Sequence, residues 1–312
     1  MAGPEQNAGR ISMLERLSRD ESDGRIPPET TIGCVNLTVT DAVRSQHFYA
    51  KLMGLEPTRA ADGSLSLAPA GGGALLRLVA NASALARDHR QTGLFHVAIL
   101  VPSRRELAAA LVRLTQGGWR LDGAADHLVS EAVYLQDPDG NGIEIYRDRK
   151  PDQWIRGERG QIKMATLPLD LDDLVSELRS VPLDEVNDTV MPAGTRIGHI
   201  HLQVASIPAA ERFYDSVLGF DITERGYPGA LFVSAGGYHH HIGLNVWNSR
   251  GAAAPPPGSV GLNSFELKLG DQHALAAVRD RLTQDGVDMT DPPTGNGVLV
   301  QDPSGNRIQV TV

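Results

Sequence analysis

The chain is written twice. Ile32 to Glu56, I-G-C-V-N-L-T-V-T-D-A-V-R-S-Q-H-F-Y-A-K-L-M-G-L-E, returns 165 residues later, without a gap, as Ile197 to Asp221, I-G-H-I-H-L-Q-V-A-S-I-P-A-A-E-R-F-Y-D-S-V-L-G-F-D. Gln136 to Ile145, Q-D-P-D-G-N-G-I-E-I, returns at the same offset as Gln301 to Val310, Q-D-P-S-G-N-R-I-Q-V. A repeat of this kind constrains the fold before any single residue is weighed. Each copy must be a supersecondary unit that buries its apolar face against other copies.

Each half divides again. L-F-H-V-A-I-L-V then R-R-E-L-A-A-A-L-V-R-L, Leu94 to Leu114, reads as strand then helix. So does N-S-F-E-L-K-L then H-A-L-A-A-V-R-D-R-L, Asn263 to Leu282. Four strand–helix openings result, near residues 32, 94, 197 and 262, each followed by short strands and turns. D-P-D-G-N-G and D-P-S-G-N-R are turns, because Pro presets φ while Gly and Asn accept positive φ. The predicted fold is α+β, a βαβββ unit repeated four times. Residues 1–30 read as a polar N-terminal arm, 31–150 as the first half with two units, 151–194 as a linker with a helix near Leu171 to Leu178, and 195–312 as the second half with two units. Ala252 to Gly258, A-A-A-P-P-P-G, is a loop.

Composition narrows the class. Apolar residues make up 41% of 312, enough for a real core. A net charge of -9 argues against nucleic-acid binding, which needs a basic surface. No apolar run approaches the roughly 20 residues that span a bilayer, and the first residues carry no apolar signal core. A single cysteine, Cys34, gives no internal disulfide. A cytoplasmic setting is the expectation, as is an oligomer of identical chains.

Strand faces alternate with period two. Ile200, Leu202 and Val204 form one face of their strand, so His199, His201 and Gln203 form the other. His96 opposes Val97 and Ile99 in the same phase, and Glu144 opposes Ile143 and Ile145. A curved sheet can bring His96, His199 and Glu144 together. Two imidazoles and one carboxylate suit non-haem Fe(II). The other copies act as an internal control. Cys34 is the counterpart of His199, Gln309 of Glu144, and Ser264 or Phe265 of His96, so the scaffold itself does not demand these ligands. His239, His240 and His241 lead into the alternation of Ile242, Leu244 and Val246. That phase puts His239 and His241 on the polar face of a strand, unless Gly236-Gly237 forms a bulge.

The four βαβββ units, the F-Y-x-x-x-L-G helices and D-P-x-G-N-x-I-E resemble the vicinal oxygen chelate superfamily, which includes glyoxalase I, bleomycin-binding proteins and extradiol dioxygenases. G-H-I-H-L-Q-V, S-E-A-V-Y-L-Q-D-P-D-G-N-G-I-E-I-Y-R-D-R and S-A-G-G-Y-H-H-H-I-G-L-N are similar to its catechol 2,3-dioxygenase branch, over about residues 30–312. The resemblance implies curved sheets paired into half-barrels and an Fe(II) enzyme, with Mn(II) as the other candidate, that cleaves an aromatic diol with O2. It also implies metal ligation by His96, His199 and Glu144, acid/base work by His240, and a substrate hydrogen bond from Tyr134. His127 falls near the family's second active-site histidine, at a shorter spacing. His201 and His241 are assigned to the substrate side. Extradiol enzymes usually keep all three ligands in the second half. Here the triad requires unit two to pair with unit three, leaving units one and four to enclose a closed or apolar interior faced by Cys34 and Gln309. The rival is sequential pairing, with Cys34, His96 and Glu144 as ligands. Two other classes stay open: a glyoxalase-like isomerase or lyase with a fourth protein ligand, and a metal-free binding protein.

Overall fold

The structure, a computed structural model, describes residues 24–158, 160–182, 185–186, 190–292 and 295–312. Most of the expected N-terminal arm, residues 1–23, lies outside them. Its last stretch docks on unit three. Ile26 is buried and its amide donates to the Gly219 carbonyl at 3.0 Å, while Arg25 donates to the Phe220 carbonyl at 2.7 Å.

Unit one comprises β1 (Thr31–Val39), α1 (Ala42–Gln46, continued by a π-helical turn at His47–Leu52), β2 (Glu56–Arg59), β3 (Leu65–Ala68) and β4 (Leu76–Ala80). Unit two comprises β5 (Gly93–Leu100), α2 (Arg104–Gln116), β6 (Leu121–Asp126), β7 (Ser130–Gln136) and β8 (Gly142–Asp148). The connecting segment holds the two-residue β9 (Leu167–Pro168) and α3 (Leu171–Val175), which a 3-10 turn at Ser176–Leu178 extends. Unit three runs through β10 (Arg196–Gln203), α4 (Ile207–Glu211, again continued by a π-helical turn, Arg212–Val217), β11 (Asp221–Glu224), β12 (Ala230–Ser234) and β13 (Ile242–Asn245). Unit four holds β14 (Gly261–Lys268), α5 (Gln272–Gln284), β15 (Val298–Gln301) and β16 (Arg307–Thr311). Its remaining strand is reduced to a bridge between Thr290 and Leu299, so this copy is a truncated βαβββ.

Local chemistry explains the boundaries. Helices α1 to α5 each start at a side-chain cap: Asp41, Ser103, Asp170, Ser206 and Asp271 all accept from backbone N–H groups of the first turn. In both D-P-x-G-N turns the aspartate folds the backbone over itself. Asp137 Oδ1 accepts from the amides of Asp139 and Asn141, and Asp302 Oδ1 from those of Ser304 and Asn306. Gly140 and Gly305 supply the positive φ the turn needs, 83° and 86°.

Among the described residues the strands form two sheets, in the orders β15-β16-β14-β1-β4-β3-β2 and β11-β12-β13-β10-β5-β8-β7-β6-β9. Unit four therefore joins unit one, and unit three joins unit two. The joints are antiparallel: β1 on β14, and β10 on β5. Each sheet takes one unit from either half of the sequence, so the triad's required pairing is the one present. A shared core that includes Val35, Leu37, Val97, Ile99, Ile200, Leu202, Phe265 and Leu267 packs beneath these strands.

Candidate metal centre and active site

The register of the second sheet places the triad. His199 on β10 sits opposite Ala98 on β5, Ala98 beside Glu144 on β8, and Glu144 opposite Tyr134 on β7. One row of side chains, His199, Ala98, Glu144 and Tyr134, thus crosses four strands. His96 lies two residues from Ala98 and therefore on the same face. Glu144 Oε2 is 3.1 Å from His199 Nε2 and 3.0 Å from His96 Nε2. Ligand atoms of the three residues all lie within 4.8 Å of one another, and all three side chains are buried.

This donor set fits a divalent metal. His96 Nε2 is close to the carboxylate but off the hydrogen-bonding direction, so this buried nitrogen has no hydrogen-bond partner among the described residues. A buried, unpartnered polar atom is costly unless something else binds it. Burial alone would push the Glu144 carboxyl up, but the imidazoles of His199 and His96 outweigh it and hold it well below the usual carboxylate range. Burial lowers His199, favouring the neutral ring a metal needs.

Above the triad lies a cavity of about 220 Å³. Its walls include the rings of Phe95, Tyr134, Tyr227, Phe232 and Trp247. His127 also reaches it. His127 Nδ1 lies 2.7 Å from the Ala165 carbonyl, which only accepts, so Nδ1 carries the proton. Nε2 is then an acceptor, and the Tyr134 hydroxyl donates to it at 2.6 Å. Burial, with the Glu144 charge behind it, pushes the Tyr134 hydroxyl well above its ordinary range and keeps it a donor. His201 lines the same cavity. Its Nε2 accepts from the Asn245 amide at 3.0 Å, and the Asn245 oxygen is fixed by the Trp247 amide at 3.2 Å. Gly243 beside it is required, because a Cβ there would stand 2.9 Å from the imidazole.

The triple histidine departs from the alternation read in the sequence. Gly236 and Gly237 both have positive φ and form a turn, and β13 starts only at Ile242, so His239 to His241 occupy irregular backbone. Three successive rings then point in different directions. His240 faces the cavity, with its ring centroid 4.2 Å from that of His199. His239 is buried against Asp148, its Nε2 2.9 Å from Oδ1. His241 turns to a different depression, beside Pro28 and Tyr238, where its Nδ1 receives the Ala235 amide at 3.2 Å and meets the Ser234 hydroxyl at 3.0 Å. The assignment of His241 to the substrate side is therefore corrected. Asp148 was missed. The signal was present, since Glu144, Tyr146 and Asp148 share one face of E-I-Y-R-D by simple alternation.

The expectation of a closed or apolar interior between units one and four is also corrected. Cys34 and Gln309 stand in an open cleft of about 480 Å³, walled by polar groups including Asn36, Arg77, Asn263 and Glu266. Burial, then the Glu266 carboxylate, push the Cys34 thiol up to about 11. Such a thiol is a poor metal ligand near neutral pH. Among the described residues, no helix is long and apolar enough to cross a membrane.

Residues 31–145 and 196–310 each match the family described as the Glyoxalase/Bleomycin resistance protein/Dioxygenase superfamily. The catechol-2,3-dioxygenase of Bacillus subtilis (strain 168) is 42% identical over 281 residues, covering 89% of this chain and 95% of that protein. Two solved structures share the fold at low identity. A putative dioxygenase from Bacillus subtilis superposes with a TM-score of 0.60 at 13% identity, over 92% of this chain and 86% of that one. Glyoxalase I from Zea mays gives a TM-score of 0.56 at 14% identity, over 91% of this chain and 92% of that one. On the two matched repeats and the extent of the 42% relative, the chain belongs to the glyoxalase/bleomycin resistance protein/dioxygenase superfamily, in its catechol 2,3-dioxygenase branch.

Proposed function

We propose that this enzyme is an Fe(II)-dependent extradiol dioxygenase that opens the ring of a catechol-like diol beside its hydroxyl-bearing carbons, giving a muconic semialdehyde-type product. The observation that carries the reading is the convergence of His96, His199 and Glu144 under an aromatic-walled cavity into which Tyr134, His127 and His240 also project. His96, His199 and Glu144 would hold Fe(II), which would supply Lewis acidity toward the diol and reactivity toward O2; Mn(II) suits the same ligands.

The chain's own residues supply the rest. Phe95, Phe232 and Trp247 offer ring faces and edges to a flat aromatic substrate and exclude water from it. Tyr134 presents a protonated hydroxyl, held in direction by His127, to a substrate oxygen. His240 takes the proton of the second hydroxyl and can return it later. Burial first, then the neighbouring histidines, hold His240 well below its ordinary range, so it is a neutral acceptor before substrate arrives. His201, lowered in the same way by burial, stays uncharged on the opposite wall.

The test is anaerobic metal analysis, followed by oxygen uptake with catechol on iron-loaded protein. The expected result is one divalent metal per chain, and one O2 consumed per ring opened. Metal binding without oxygen uptake across a panel of catechols would overturn the reading.

A further inference from the structure

His240 is not alone behind the cavity. Its Nδ1 lies 2.9 Å from Nδ1 of His239, and Nε2 of His239 lies 2.9 Å from Asp148 Oδ1. The other Asp148 oxygen accepts from the Tyr238 hydroxyl at 2.9 Å, and that hydroxyl lies 2.8 Å from the Tyr146 hydroxyl. The chain of bonds runs from the cavity wall to a carboxylate at the end of β8, on the face that carries Glu144. Neither Asp148 nor His239 lines the cavity.

The directions of these bonds follow from the groups at the carboxylate end. A carboxylate accepts and does not donate, so the His239 Nε2 that faces Asp148 carries a proton. In a neutral ring the other nitrogen is then an acceptor, so His239 Nδ1 accepts. The bond between the two Nδ1 atoms needs one proton, which must sit on His240. His240 is thereby a ring with its Nδ1 protonated and its Nε2 bare. Nδ1 is tied at the back, which leaves Nε2 for the cavity that the ring lines.

We propose that Asp148 and His239 are positioning residues that hold His240 in the tautomer whose Nε2 can receive a proton from substrate. The proposal deepens the reading of His240 as the acid/base residue and rests on it. It gives the first histidine of the triple run a purpose distinct from the second. An acid/base histidine in the wrong tautomer presents an N–H where the reaction needs a lone pair, the failure that an Asp→Asn change produces behind a serine protease's histidine.

The variant Asp148→Asn reverses the chain without removing a bond. Its oxygen would accept from Tyr238 and its NH2 would donate to His239 Nε2. The His239 proton would then move to Nδ1, and the His240 proton to Nε2. No proton is gained or lost; two change places. Long-range proton–nitrogen NMR of ¹⁵N-histidine protein reads this directly, with and without Zn(II) in the site. The parent is expected to show His240 with Nδ1 protonated and Nε2 bare, and Asp148→Asn the opposite. In iron-loaded enzyme, Asp148→Asn is expected to lower kcat by about 10²–10⁴-fold, with iron content and KM within about twofold of the parent. His239→Asn, which keeps an acceptor near the lost Nδ1, should recover more kcat than His239→Phe. A parent His240 protonated at Nε2, or an unchanged kcat either in an Asp148→Asn protein whose tautomers have switched or in His239→Phe, overturns the proposal. The expected tautomers in a protein that opens no catechol ring would support the placement of Asp148 and His239 and overturn the reaction instead.

Discussion

The Tyr49 hydroxyl donates to Asp137 Oδ2 at 2.9 Å, with both side chains buried. The bond ties the F-Y of the first helix to the D-P-D-G-N turn of the second unit. Tyr214 donates to Asp302 Oδ2 at 3.0 Å and does the same for units three and four. The two motifs that reveal the repeat in the sequence are therefore the two ends of one hydrogen bond, made once in each half. Tyr49→Phe should cost about 1–3 kcal/mol, because it leaves a buried acceptor short of a donor. Tyr214→Phe should cost a similar amount, as read by denaturant unfolding. A loss below about 0.5 kcal/mol at both sites would mean that the turn holds itself together.

The same repeat made the site partly legible. His96, His199 and Glu144 stood out because their counterparts in the other copies are not ligands, and period-two alternation gave their faces correctly. Pairing of units two with three followed from chemistry, since no other pairing assembles two histidines and a carboxylate. Alternation failed at His239 to His241 because it assumes extended backbone, whereas Gly236 and Gly237 turn the chain at positive φ. His127 was hard to place for a related reason. It lies at the mouth of the β6–β7 hairpin, next to Leu128 with a φ of 67°, so linear spacing to Tyr134 says little about distance in space. The character of the cleft between units one and four depends on which residues two distant copies bring together, and no single strand's pattern carries that.

Loss of a ligand and loss of a neighbouring thiol should separate cleanly. His96→Ala, His199→Ala and Glu144→Ala are each expected to empty the metal site, with the fold retained by circular dichroism. Cys34→Ser should leave metal content unchanged, because Cys34 belongs to the other sheet and its thiol is pushed up to about 11. Atomic emission on anaerobically purified protein decides it. Metal lost with Cys34→Ser but kept with His199→Ala would show that the wrong residues have been grouped.

Within the triple histidine, substitutions should have different consequences. His240→Ala should keep its metal and lose about 10²–10⁴-fold in rate, the usual worth of a positioned acid/base. His241→Ala should keep nearly full turnover, since its ring lies outside the cavity. Tyr134→Phe should be milder, of order 1–3 kcal/mol in the barrier, the range for one buried hydrogen bond. Steady-state oxygen uptake with metal-normalised enzyme gives all three. Equal losses in His240→Ala and His241→Ala would contradict this geometry.

His241 should instead govern stability in acid. Its Nδ1 accepts from the Ala235 amide and meets the Ser234 hydroxyl, and burial lowers its pKa from the ordinary 6.5 to about 4. Protonation would place an N–H against an amide N–H and charge a buried ring. A histidine with a depressed folded pKa contributes stability that is fully present above its unfolded value. That contribution is lost as pH falls from 6.5 toward 4, because there the unfolded chain binds the extra proton. At about 1.4 kcal/mol per pKa unit, the loss attached to this residue is of order 3 kcal/mol. His199, His201 and His240 shift in the same direction, so the parent's stability should fall steeply over this window. The share due to His241 is isolated by difference. His241→Gln should be less stable than the parent at pH 7.5, where the parent's ring is neutral and bonded, and the gap should narrow or close by pH 4.5. Urea midpoints for the two proteins across that range provide the measurement. A gap that stays constant with pH would mean that the His241 ring takes up its proton equally well folded and unfolded.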